Sequence, residues 1–224
     1  MATNRKTVFA NGEMYHVFNR GVEKRSTFTD KRELKRVMQA LAYYRFKKPL
    51  FRFSHFLRLE KKMQIQALSN LKTTNKNVDI ICYCLMPNHF HLLLRQIDDA
   101  GISKFMANFT NSYTKYFNMK NDRVGPLFQG LFKAVLIEDD EQLMHVSRYI
   151  HLNPASSFLV EPDFLESYEW SSYPDYLGLK NPEIIEKETV LNLFSNEEQY
   201  KQFVLDQAGY ARTLETIKHH LLDE

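Results

Sequence analysis

The chain has 224 residues, 44% of them hydrophobic and 25% charged, with only 7 Gly and 7 Pro. That length supports a full core without disulfide or metal staples, and the composition excludes collagen-like, linker-dominated and disordered chains. Nowhere do about 18 uncharged apolar residues run together, so no signal peptide, spanning helix or membrane partner is expected, and a cytoplasmic protein is. The net charge of +3 conceals a division: residues 1–76 hold 18 Lys/Arg against 5 Asp/Glu, whereas residues 77–224 hold 12 against 22. The basic front comes in doublets such as Lys24-Arg25 and Lys35-Arg36, interleaved with Phe18, Phe28, Tyr43 and Tyr44. For one doublet a solvated helix face is the simpler reading; for the whole excess, phosphates and stacked bases are the better partners.

In chain order, Met14 to Asn19 is rich in β-formers and stops at Gly21, which predicts a first strand. Asp30 is a plausible N-cap for a helix that carries Leu34, Val37, Met38 and Leu41 at 3–4 spacing. Residues 47–77 are basic and polar, with a weaker helical stretch from Glu60 to Leu71, and are expected to be an insertion and not a core element. Val78 to Met86 is an almost continuous apolar run that breaks at Pro87-Asn88 and resumes from His89 to Arg95, which predicts two adjacent strands joined by a tight turn. Ile102, Phe105, Met106, Phe109, Tyr113, Tyr116 and Phe117 then mark the strongest helix, ended by Arg123-Val124-Gly125-Pro126. A short strand from Ala134 to Ile137 leads to Asp139-Asp140 and a helix with Leu143, Val146 and Ile150 inward, expected to stop at Asn153-Pro154.

Without the insertion this order contains β-α-β-β-α-β, so the fold class expected is α+β: a ferredoxin-like antiparallel sheet with two helices on one face and the other face free for chemistry. Residues 1–154 would form that domain. Residues 155–224, with 5 Lys/Arg against 14 Asp/Glu, would be an acidic, mainly helical C-terminal extension. In it Trp170-Ser171-Ser172-Tyr173 would anchor the extension to the sheet, and Ser195 to Glu198 reads as a capping box.

On a strand, alternate side chains share a face, so His89 and His91 point the same way while Phe90 and Leu92 point into the core. On the last core helix Tyr149 and Asn153 are i and i+4, hence neighbours on one face. Each feature alone is weak. A His-x-His on a strand arises by chance, and a helical Tyr is more often a core-edge residue than a nucleophile. His16 borders this face or is a core-edge imidazole, and His145 and His151 read as surface or supporting groups.

Together the segments Leu85-Met-Pro-Asn-His-Phe-His-Leu-Leu-Leu94, Gly125-Pro-Leu-Phe-Gln129, Tyr149-Ile-His-Leu-Asn-Pro154 and Trp170-Ser-Ser-Tyr173 resemble the REP-associated tyrosine transposases. Those are single-tyrosine, insertion-sequence-200-like members of the HUH superfamily. The resemblance spans roughly residues 12 to 178. It implies that His89 and His91 are the metal-binding pair, Asn153 the third ligand and Tyr149 the nucleophile that leaves a 5′-phosphotyrosine and a free 3′-hydroxyl. It also implies a Mg²⁺ or Mn²⁺ cofactor, single-stranded or hairpin DNA as partner, including repeated palindromic elements, and a monomer or homodimer. Arg20, Lys24, Arg25, Lys115, Gln129, Lys133 and Arg148 are candidates for holding the DNA. Ala155-Ser156-Ser157 and Leu131 depart from the family pattern beside the motifs, which bears on local DNA contacts and not on the catalytic set.

Two other readings compete. Cys82-x-Cys84 with His89-x-His91 offers four soft ligands for zinc, with Cys84 opposite His91 if the turn has two residues; ligands so close along one hairpin strain to form a tetrahedron. The second is a non-catalytic nucleic-acid-binding regulator derived from such a transposase.

Overall fold

The computed structural model describes residues 7–180 and 184–222, with side chains described as far as Glu215. Four strands, β1 (Met14–Arg20), β2 (Val78–Met86), β3 (His89–Gln96) and β4 (Lys133–Leu136), form one antiparallel sheet in the order β2-β3-β1-β4. Helices α1 (Lys31–Tyr44) and α4 (Gly101–Lys120) supply the two crossovers and pack on each other. Between α1 and β2 lie α2 (Phe53–Phe56) and α3 (Lys61–Lys72). The β-α-β-β-α-β order and this strand sequence are the ferredoxin-like arrangement expected.

The pleat sorts the faces. Tyr15, Val17, Phe90, Leu92 and Leu94 are sealed on the side of α1 and α4, where Phe90 meets Phe109 with ring centroids 5.5 Å apart. The opposite face is not left open. Helix α5 (Asp140–Ser156) crosses it, because Tyr149 contacts the ring of His91, which points away from Phe90.

Two expectations about segments change. The stretch between α1 and β2 is polar outside but buries Phe53 and Phe56 against Tyr43, and Leu71 within the same core cluster, so three apolar anchors make a mostly basic segment part of the core. Helix α5 also continues through Pro154 to Ser156. A proline near a helix end forfeits a single N–H bond, and its own carbonyl still accepts from Leu159 N–H at 2.9 Å.

Beyond α5 come α6 (Tyr173–Tyr176), α7 (Glu188–Leu191), α8 (Glu197–Leu205) and α9 (Ala208–Leu222). Together with the 3₁₀ turn Pro162–Ser167 they bring Leu165, Tyr173, Tyr176, Val190, Tyr200 and Val204 into the same buried cluster as the sheet. The tail also covers the outer edge of β2. Leu85 N–H donates to Trp170 C=O (2.9 Å), Ser172 N–H to Tyr83 C=O (3.0 Å) and Glu186 N–H to Ile80 C=O (2.8 Å), satisfying groups that an edge strand would otherwise expose. The box expected at Ser195–Glu198 sits one residue later: the Asn196 side chain accepts from Gln199 N–H, and Gln199 Oε1 accepts from Ser195 N–H. Among the described residues no helix is long and apolar enough to cross a membrane.

Candidate functional site

Three elements converge on one spot. On β1 the alternation puts His16, Phe18 and Arg20 on the face shared with His89 and His91 of β3, with Phe18 opposite His91 and Arg20 opposite His89. On α5 the i, i+4 spacing sets Tyr149 and Asn153 above them, and Asn153 Nδ2–H donates to the Tyr149 carbonyl at 3.0 Å. Tyr149 stays 51% exposed, its ring edge-on to half-buried His16 (5.8 Å) and to buried His91 (5.3 Å), so a half-open phenol stands beside covered imidazoles.

Hydrogen-bond directions at His89 follow from its neighbours. Asn88 Nδ2–H donates to Lys24 C=O (3.1 Å), which turns Asn88 Oδ1 to His89 Nδ1 at 2.6 Å. A carboxamide oxygen can only accept, so His89 carries its proton on Nδ1 and a lone pair on Nε2. Across from that lone pair, 3.3 Å away, lies Asn153 Oδ1, itself aimed there by the bond from Nδ2 to Tyr149. Two acceptors therefore face each other with no proton between them. A doubly protonated His89 would relieve this, but burial, reinforced by the Arg20 charge, outweighs the Asn153 contact and holds its pKa below the ordinary value.

The other imidazoles are also kept neutral. Burial pushes His16 down to about 4, and burial together with His16, His89 and Arg20 holds His91 well below the ordinary value. Neutral imidazoles and an amide oxygen are the donor set of a divalent cation, and a cation is what two opposed lone pairs lack, so His89, His91 and Asn153 fit such an ion. No group of three His, Cys, Asp or Glu is arranged to hold a metal among the described residues; the amide of Asn153 would have to be the third donor. Cys84 does lie opposite His91. Both thiols, however, are fully buried and burial pushes their pKa up, which opposes the thiolate that zinc would need.

The candidate DNA contacts divide. Arg20 and Lys133 are exposed on strands of the site face, Lys24 is exposed beside the Asn88 turn, and Gln129 is exposed with its N–H donated to Arg20 C=O at 2.8 Å. Arg25 pairs with Glu23 at 2.6 Å. Lys115 is on α4, behind the sheet. Arg148 is taken up by the tail and its own helix: its guanidinium lies 4.2 Å over the Phe203 ring and donates to Phe203 C=O and to His145 Nδ1. Sequence reasoning assigned no role to Asn88 and none specific to His16; His-x-Phe-x-Arg on β1, in phase with His-x-His on β3, is the signal that points to the latter.

Residues 52–153 match the family model described as Transposase IS200 like. Among solved structures, that of a REP-associated tyrosine transposase bound to a REP hairpin superposes with a TM-score of 0.54 at 13% identity. The alignment covers 82% of this chain and 97% of that one. No curated protein matches. Through residues 52–153, which hold the His89/His91 pair, Tyr149 and Asn153, and through a fold shared over most of its length, the chain is similar to the IS200-like, REP-associated tyrosine transposases.

Proposed function

We propose that the protein is a transposase that nicks and rejoins single-stranded or hairpin DNA through Tyr149. The observation that carries this reading is the opposed lone pairs of His89 Nε2 and Asn153 Oδ1 beneath a half-exposed tyrosine. A divalent cation bound by His89, His91 and Asn153 would supply positive charge for a scissile phosphate. The chain's residues do the rest. Tyr149 Oη attacks phosphorus, the Oη–P bond forms as the P–O3′ bond breaks, and the phenolic proton ends on the departing 3′-oxygen. A 5′-phosphotyrosine and a free 3′-hydroxyl result; attack by a 3′-hydroxyl reverses the step and rejoins strands without an external energy source. Arg20, Lys24 and Lys133 border the site and would hold the phosphates that flank it.

The test incubates the protein and Tyr149→Phe with labelled hairpin DNA and Mn²⁺, Mg²⁺ or EDTA, followed by denaturing gels. The expected result is a covalent adduct on the 5′-phosphate side that needs metal and vanishes in the variant. Tight binding with no adduct under any metal would favour the regulator.

A further inference from the structure

His16 is half-buried, stacks on His91 at 5.1 Å and touches the Tyr149 ring, and its Nε2 lies 2.9 Å from His91 Nδ1. Strand register explains the contact. His91 is opposite Phe18, so His16, two residues before Phe18 on the same face, is its diagonal neighbour, a distance that aromatic side chains span. One proton must lie between the two nitrogens. If His16 donates it, His91 must carry its own proton on Nε2 and cannot ligate through that atom. If His91 donates it, His91 Nε2 keeps a lone pair. Among the described residues His91 Nε2 has no hydrogen-bond partner, and Arg20 stands near both site imidazoles, which favours lone pairs over N–H groups beside it.

We propose that His16 is a positioning residue: it accepts the Nδ1 proton of His91 and so fixes the tautomer in which His91 presents Nε2 to the site, as Asn88 does for His89. This deepens the metal reading above and rests on it for its purpose, not for its geometry. Imidazoles that bind metals depend on such partners for tautomer and ring orientation.

The experiment records two-bond ¹H–¹⁵N spectra of the histidine-labelled, metal-free full chain near pH 7.5, and follows Mn²⁺ binding by electron paramagnetic resonance. In the wild type His91 is expected to carry its proton on Nδ1. In His16→Phe the tautomers should mix and Mn²⁺ affinity should fall about 10- to 100-fold. His16→Gln, whose side-chain oxygen can accept the same proton, should restore most of both. A proton on His91 Nε2 in the wild type overturns the proposal, as does a His16→Phe protein with unchanged tautomer and Mn²⁺ affinity. A wild type with the Nδ1 proton that binds no Mn²⁺ would instead overturn the metal reading and leave the role of His16 in place.

Discussion

Asn88 sits at a turn and decides which nitrogen of His89 is bare. Asn88→Ala removes the acceptor of the Nδ1 proton, so His89 is free to adopt the other tautomer and bond Asn153 directly. Mn²⁺ affinity is expected to fall about 10- to 100-fold, read by titration, with the circular dichroism spectrum unchanged. Tyr149→Phe is expected to behave oppositely. Among the described residues its hydroxyl has no hydrogen-bond partner, and its ring is half exposed, so urea unfolding should shift by less than about 0.5 kcal/mol while the adduct disappears. At this scale the sequence was informative wherever spacing alone decides geometry. His89 with His91 follows from a period of two, and Tyr149 with Asn153 from a period near four. His16 and Asn88 were harder, because their roles depend on strand register across 75 residues and on the direction of a turn amide.

Three helices begin with the same device, in which the N-cap side chain accepts from the residue three ahead while that residue's side chain accepts from the N–H just before the cap: Asp30 with Glu33, Asp139 with Gln142, and Asn196 with Gln199. The first is the most consequential. Glu33 is fully buried, accepts from Thr29 N–H and Oγ1–H, and pairs with Lys120 of α4 at 2.7 Å, so one carboxylate caps α1 and ties it to its neighbour. Burial alone would raise its pKa, but the bonds from Lys120 and Thr29 win and hold it below the usual range. Glu33→Ala leaves those donors unmatched and is expected to cost about 2–4 kcal/mol in a denaturant melt. Asp30 and Asp139 were legible as caps from residue type and position. The third was displaced by one residue because Ser195 and Asn196 both cap well, and only packing chooses between them. Pro154 misplaced a helix end for a similar reason, since proline stops a helix by local rule but is tolerated in a last turn that tertiary contacts hold.

The sheet order followed from the alternation of strand and helix patterns, and the tail's anchor at Trp170–Tyr173 was legible too, whereas its backbone pairing with the edge of β2 was not, because Leu85 with Trp170, Tyr83 with Ser172 and Ile80 with Glu186 are groups far apart in the chain that no periodicity connects. Its centre is His151, sealed between Tyr200 Oη (2.6 Å from Nδ1) and Ser172 Oγ (2.8 Å from Nε2). Burial pushes the His151 pKa down to about 3. The unfolded chain, with histidine near about 6.5, therefore binds the extra proton first, so stability rises with pH between about 3 and 6.5 and is fully present above that window. At pH 5 this one group should cost roughly 2 kcal/mol relative to pH 7. Wild-type melting temperature is expected to drop steeply over that range, and His151→Phe, less stable at pH 7, should show a visibly shallower acid limb; equal slopes would assign the acid sensitivity to other groups.

The position of His151 has a further consequence for aim. It lies two residues from both Tyr149 and Asn153 on the same helix, roughly 200° around the axis from each, so the polar latch grips the back of the rod whose front carries the proposed nucleophile. A slip of one residue, roughly 100°, would swing the phenol off the imidazoles. The tail is thus a rotational stop for Tyr149, and a sequence change around Ser172 or Tyr200 that loosens it is expected to misdirect the phenol with every residue of the candidate site intact.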